Sequence, residues 1–302
     1  MTGGTLLTRG SRARRLHLQV GHKIHGQLQG EHLGYQLGEG GDLAEVRPYQ
    51  PGDDVRRFDW AVLARTGEPH VRTTTPQREL ETTLLVDLSP SMAFGTRVQD
   101  KQELALTMAS AFSHLASGAG DRLGAVVLSK DGVRRYPPRA TRLAAAHLLG
   151  ALGSYDPGEG TAPSLEAGLE AVPKQRRGLV VVISDLLGAT TWEQPMKRLT
   201  QRHDVIVVQV FDPRERELPH VGMLRVVDPE TGRVLDVPTG SRAVRARYAE
   251  ATADRHRELA AAVKRTGAGH LVVGTDGDWL LELTRFLHLR RRIRTARRVA
   301  SP

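Results

Sequence analysis

Three short apolar runs constrain the fold of this chain more than any other feature: Leu84-Leu85-Val86, Val180-Val181-Val182-Ile183, and Val205 to Phe211. Each falls far short of the roughly 20 apolar residues that a membrane helix needs. Leu123 to Leu128 and Leu271-Val272-Val273 extend the series. Between them lie segments with apolar residues at helical spacing. The clearest runs from Gln99 to Ser117, with Leu104, Met108, Ala111, Phe112 and Leu115 on one stripe. Others cover 143–152, 164–171, 192–202 and 242–265. Short, near-continuous strands that alternate with helices predict a parallel sheet covered on both faces. Right-handed crossovers then give an α/β fold with a doubly wound, mostly parallel sheet. Ligands of such sheets sit at the carboxyl ends of the strands, where the strand order reverses.

Two of the apolar runs end in an aspartate. The first continues into Asp87-Leu88-Ser89-Pro90-Ser91, and the second into Ser184-Asp185. Between them, Gly160-Thr161-Ala162-Pro163 offers a further hydroxyl in a loop before a helical segment. Carboxylates and hydroxyls are hard oxygen donors, the kind that Mg²⁺ prefers. The same residues could instead cap helices, Ser89 and Ser91 the next one and Asp185 another. One loop can serve both purposes. The order Asp-x-Ser-x-Ser, then Thr, then Asp resembles the von Willebrand factor type A domain and its metal-ion-dependent adhesion site. The resemblance implies Ser89, Ser91 and Thr161 as direct ligands of Mg²⁺ (or Mn²⁺ or Ca²⁺). It implies that Asp87 and Asp185 supply charge largely through bound water. A carboxylate from a client protein would complete the shell.

The first eighty residues differ in kind. Gly38-Glu39-Gly40-Gly41 predicts a loop. A dense charged segment follows, with Arg47, Tyr49, Gly52, Asp53, Asp54, Arg56, Asp59, Trp60, Arg65 and Arg72. Pro51-Gly52 suits the centre of a type II turn, and Phe58 and Trp60 stand as apolar anchors. Asp53, Asp54 and Asp59 could pair with these arginines and lock a β-rich annex onto the sheet, since bidentate Arg–carboxylate pairs suit fixed geometry. Alternatively, the segment is a binding surface. It resembles the signature of the domain of unknown function 58 family, whose members join such a stretch to a von Willebrand A-like domain. The resemblance runs from about Gly30 to the last helix; Leu43 stands where the family often has Phe. It divides the chain into an annex, 1–80, and a von Willebrand A-like domain, 81–302. It also implies a companion role to a MoxR-type AAA+ ATPase, in assembly or maturation of client proteins. Many members carry N-terminal membrane helices. Here residues 12–29 instead form a helix-like region with Arg14, Arg15, His17, His22 and Lys23. Met223 to Asp236 interrupts the α/β alternation as a β-hairpin, either a decorating flap or a docking surface.

The net charge of +9 is concentrated at the ends. Arg9, Arg12, Arg14 and Arg15 precede Glu31, the first acidic residue, and Arg285, Arg290, Arg291, Arg292, Arg294, Arg297 and Arg298 follow Glu282, the last. Basic arms can bind nucleic acid or an anionic surface, an alternative function. Aromatic residues make up only 4%, which argues against stacking platforms for single strands. The absence of cysteine excludes disulfides and thiolate-bound zinc. His22 and His25 lack a third ligand at fixed spacing. No phosphate-binding Gly-x-x-x-x-Gly-Lys-Ser/Thr is present, nor a Gly-x-Ser-x-Gly elbow. The expectation is a non-enzymatic, cytoplasmic binding module with no membrane span. A Mg²⁺-dependent phosphoesterase is the enzymatic alternative.

Overall fold

The computed structural model describes residues 16–24, 45–51, 53–55, 58–73, 81–95, 99–116, 121–156, 158, 160–228 and 231–299. Residues 16–24 form helix α1. Strands β1 (Glu45–Pro48) and β2 (His70–Thr73) make a two-stranded antiparallel sheet and flank helix α2 (Trp60–Thr66). The main body follows: β3 (Glu81–Leu88), α3 (Lys101–Leu115), β4 (Arg122–Ser129), β5 (Gly132–Ala140), α4 (Thr141–Leu152), α5 (Leu165–Ala171), β6 (Gly178–Ser184), α6 (Glu193–Thr200) and β7 (Asp204–Phe211). A hairpin of β8 (Met223–Val227) and β9 (Val234–Pro238) precedes α7 (Arg242–Thr266), β10 (Gly269–Gly274) and α8 (Trp279–Val299).

Six strands form the central sheet in the order β10-β7-β6-β3-β4-β5. All neighbours are parallel except β4 and β5. The doubly wound, mostly parallel sheet is therefore present, with the hairpin inserted between β7 and α7. The chain winds outward in one direction from β3 and in the other from β6, so the switch point lies between these two strands.

Alternation along the strands divides the core into two layers. Leu84, Val86, Leu88, Val181, Ile183, Ile206 and Val208 pack with α1, α3, α4 and α8 on one face. Leu85, Val180, Val182, Val205 and Val207 pack with α5, α6 and α7 on the other. Burial on both faces explains the uninterrupted apolar runs. Helix α3 lies so deep that nearly all of its residues are buried.

β5 was not apparent from the sequence. Its segment, GVRRYPPRA, alternates little and carries two prolines. It is an edge strand, where charge and proline block further pairing. Its register on β4 shifts between Leu123 and Ala125. At Gly124, between them, a Cβ would come within 2.8 Å of the Tyr136 carbonyl oxygen, so only glycine fits this close approach. The arginine-rich end of the chain also differs from a basic tail: it belongs to α8, which buries Trp279, Leu280, Leu283 and Leu287. Among the described residues, no helix is long and apolar enough to cross a membrane.

Candidate metal-ion site at the switch point

Asp87 and Asp185 stand at the carboxyl ends of β3 and β6, on either side of the switch point. The parallel register pairs Val86 with Ile183, which brings the next residues, Asp87 and Ser184, alongside each other. Ser184 Oγ donates to Asp87 Oδ2 at 2.7 Å, and the Ser89 amide donates to Asp87 Oδ1 at 3.0 Å. Asp87 is buried. Burial raises its pKa, the charge of nearby Asp185 raises it further, and the bonds from Ser184 and Ser89 oppose the rise. Two buried carboxylates whose charges act on each other favour a cation between or beside them.

Ser89 precedes a 3-10 turn, Pro90–Ala93, but its side chain makes no cap bond. The Ser89 and Ser91 hydroxyls instead lie 3.0 Å apart and hydrogen-bond to each other. Asp100, not a serine, caps α3, accepting from the Glu103 amide at 2.6 Å. Asp185 does not cap a helix either; its Oδ1 accepts from the Leu187 amide at 3.0 Å. Capping therefore does not account for these residues. Thr161 is exposed on the loop before α5. The start of that loop lies near the end of β4, where Lys130 pairs with Asp156 at 3.4 Å.

The turn after β6 is strained. Leu186 has φ 57°, the left-handed region that bulky residues avoid. Such a conformation costs on the order of 1–3 kcal/mol and persists where surroundings enforce it. Here the Leu186 amide donates to Ser184 Oγ, the Leu187 amide donates to Asp185, and the Leu186 side chain is buried.

Lys101, at the first position of α3, adds a cation that sequence reasoning did not anticipate. Its side chain is 0% exposed, and its ammonium donates to Asp185 Oδ2 at 2.8 Å and to Glu215 Oε1 at 2.6 Å. Burial opposes the charge, but Asp185 and Glu215 outweigh it and raise the pKa. Glu215 ends a 3-10 turn, Pro213–Glu215, that follows β7 and is closed by a capping box with Asp212. Asp212 is itself fully buried and accepts from Thr275 Oγ1 at 2.7 Å, just beyond β10. The ends of β3, β6, β7 and β10 thus share one polar layer. Helix α7 joins it, because the Tyr248 hydroxyl donates to the Glu215 carbonyl at 2.9 Å.

The donor set fits a hard divalent ion in type. Among the described residues, no three His, Cys, Asp or Glu side chains are grouped to hold a metal. An ion here would therefore depend on the serine and threonine hydroxyls, as the Asp-x-Ser-x-Ser pattern requires.

The charged segment forms the small β1–β2 unit. Asp59 is buried and caps α2, accepting from the Ala61 and Val62 amides at 3.1 and 3.2 Å. Asp53 closes a turn by accepting from the Gln50 amide at 2.9 Å. Tyr49 and Phe58 meet edge to face with ring centres 5.2 Å apart. Trp60, expected as an anchor, is instead 67% exposed, although its ring meets Phe58 edge to face with centres 5.6 Å apart. Asp54 and Arg65 are exposed. Arg47 and Arg72 lie on β1 and β2, while their side chains, and Gly52 and Arg56 altogether, lie outside the described residues.

The family described as "protein of unknown function DUF58" matches residues 45–258, more than half of the chain. The chain belongs to this family. An uncharacterized protein of Mycobacterium tuberculosis is 41% identical over 282 residues, which cover 92% of this DUF58 chain and 89% of the relative. Among solved structures, the conserved hypothetical protein BatB from Bacteroides thetaiotaomicron is similar with a TM-score of 0.43 and 17% identity, covering 71% of this chain and 99% of that one. The SpRpn10 VWA domain is similar with a TM-score of 0.32 and 12% identity, covering 44% of this chain and 76% of that one.

One property of the sequence does single out Lys101. Lysine is scarce in this DUF58 chain: Lys23, Lys101, Lys130, Lys174, Lys197 and Lys264 are the only six among 43 basic residues. A lysine that opens the apolar stripe of α3 is therefore conspicuous. Nothing local marked Glu215, which lies 114 residues from Lys101.

Proposed function

We propose that this DUF58 protein is a non-enzymatic, Mg²⁺-dependent protein-binding module. The observation that carries the reading is the Asp87–Ser89–Ser91 cluster: it lies at the switch point beside Asp185, and its hydroxyls are not used as helix caps. Ser89, Ser91 and Thr161 would hold the ion, with Asp87 and Asp185 supplying negative charge. When bound, the ion supplies a Lewis-acidic position that a carboxylate of a partner protein completes. The resemblance to the DUF58 family suggests a MoxR-type AAA+ ATPase as the energy-supplying companion, in assembly or maturation of a client. In support, the chain has no phosphate-binding loop of its own.

The test compares wild type with Asp87→Ala/Ser89→Ala as bait, each with Mg²⁺ and with chelator. A MoxR-type ATPase retained only by wild type with Mg²⁺ supports the reading. The same retained proteins in all four conditions overturn it.

The alternative, binding of nucleic acid or an anionic surface, draws on the arginines of α8. Part of that charge is used internally: Arg285 pairs with Glu282 at 3.1 Å and Arg290 pairs with Asp204. Deleting residues 290–302 would abolish this second activity and leave Mg²⁺-dependent capture intact. The phosphoesterase alternative gains no support from the site's polar layer, where Lys101, Ser184 and backbone amides engage the buried aspartates.

A further inference from the structure

Lys101 sits where a cation is hardest to place. It is fully buried, and it opens α3, whose amino end carries the positive pole of the helix dipole. Both circumstances oppose an ammonium, and carboxylates must offset them. Two do, at 2.8 and 2.6 Å. Asp185 consequently has both oxygens engaged, Oδ2 by Lys101 and Oδ1 by the Leu187 amide. A divalent ion drawing on the negative charge of Asp185 meets a resident positive charge first.

The residue type matters. This chain draws nearly all its basic residues from arginine, whose planar fork suits fixed bidentate pairing, whereas lysine carries a compact charge on a flexible stem. Lys101 can turn from one acceptor toward another without losing its charge partner. Glu215 provides that second acceptor, and it belongs to a different strand end from Asp185.

We propose that Lys101 is a tethered cation that competes with the divalent ion for Asp185, and that Glu215, which already shares the ammonium, holds it alone when the ion binds. This regulation rests on the metal reading above. It keeps metal affinity low in the isolated chain. A partner's carboxylate, by adding negative charge at the ion, shifts the competition toward metal.

The experiment titrates Mn²⁺ into the full chain and follows the free-ion signal by electron paramagnetic resonance. Wild type, Lys101→Met and Glu215→Gln are compared, with near-ultraviolet circular dichroism in chelator to establish that each is folded. Removing one unit charge several ångströms from a divalent ion is worth more than a factor of ten at an effective dielectric of about 20. Lys101→Met is therefore expected to bind Mn²⁺ at least ~10-fold more tightly than wild type. Glu215→Gln removes the charge of the second carboxylate and leaves the ammonium dependent on Asp185, so it is expected to bind about 10-fold more weakly, the opposite sign. Binding by Lys101→Met alone, with none detectable in wild type, also supports the competition. If wild type binds and folded Lys101→Met binds equally or less tightly, the competition is overturned while the metal site stands. If no variant binds, the metal reading falls and the competition with it. Should Lys101→Met fail to fold, Glu215→Gln decides: unchanged or tighter binding overturns the proposal.

Discussion

At the carboxyl edge of the central sheet, charge is inside. Lys101 is fully buried between Asp185 and Glu215, and Asp87 and Asp212 are buried with hydroxyl donors against them. On the β8–β9 hairpin the arrangement is inverted. Met223, Val227, Val234 and Leu235 are exposed, while Arg225 and Asp236 pair in solvent at 2.9 Å. Both regions contain an ion pair of similar length, yet the pairs weigh differently. An exposed pair gains little, because water already solvates its members. A buried pair also returns little net stability when formed, but removing one member leaves the other charged and unsolvated.

The largest effect should follow from breaking the buried cluster. In chelator, Lys101→Met is expected to lose about 3–5 kcal/mol of unfolding free energy, read from urea denaturation. A loss under about 1 kcal/mol would mean that water reaches Asp185 and Glu215, and the contrast between edge and hairpin would collapse.

A second buried polar contact sharpens the comparison through pH. His17 on α1 stacks on His114 of α3 with ring centres 4.1 Å apart, and its Nδ1 meets Ser110 Oγ at 2.8 Å. Burial, and then the proximity of His114, lower the His17 pKa from 6.5 to about 4. The unfolded chain therefore takes up this proton as pH falls through 6.5, whereas the folded chain resists until about 4. Stability rises with pH across this window and is lost as pH falls, by at most about 3 kcal/mol. His17→Gln is expected to remove this part of the acid sensitivity, measured as the difference between urea midpoints at pH 7 and pH 4.5. An unaltered difference would show that His17 is solvated.

The smallest effect belongs to the hairpin. Arg225→Ala should leave the urea midpoint essentially where it is in wild type, because water already solvates both members of this pair. A lowered midpoint would mean that the exposed pair is part of a more rigid surface than its exposure implies.

The sequence revealed most readily what burial makes periodic. Leu84–Val86, Val180–Ile183 and Val205–Phe211 are central strands with apolar residues on both sides, and all three occupy the middle of the sheet. β5 was hidden because an edge strand need not be apolar; its pairing with β4 holds it in place. α8 was hidden by its arginines, although Trp279, Leu280, Leu283 and Leu287 trace a buried stripe beneath them. Asp87, Ser89 and Ser91 were legible as a group because five residues of chain contain all three. Lys101 and Asp185 are 84 residues apart. Their meeting depends on the strand order, which places β6 next to β3 and carries α3 across the same face.

The burial of Lys101 also makes it a spectator to chemistry at the surface. Lys23, Lys174, Lys197 and Lys264 are exposed and Lys130 is half-buried, so an amine-acylating reagent reaches all five, whereas Lys101 has no exposed side-chain area. Residue-resolved mass spectrometry of acylation would thus carry its own reference set. Modification of the sixth lysine would mark each moment at which the floor of the sheet edge opens to water, without a label having been introduced into the molecule.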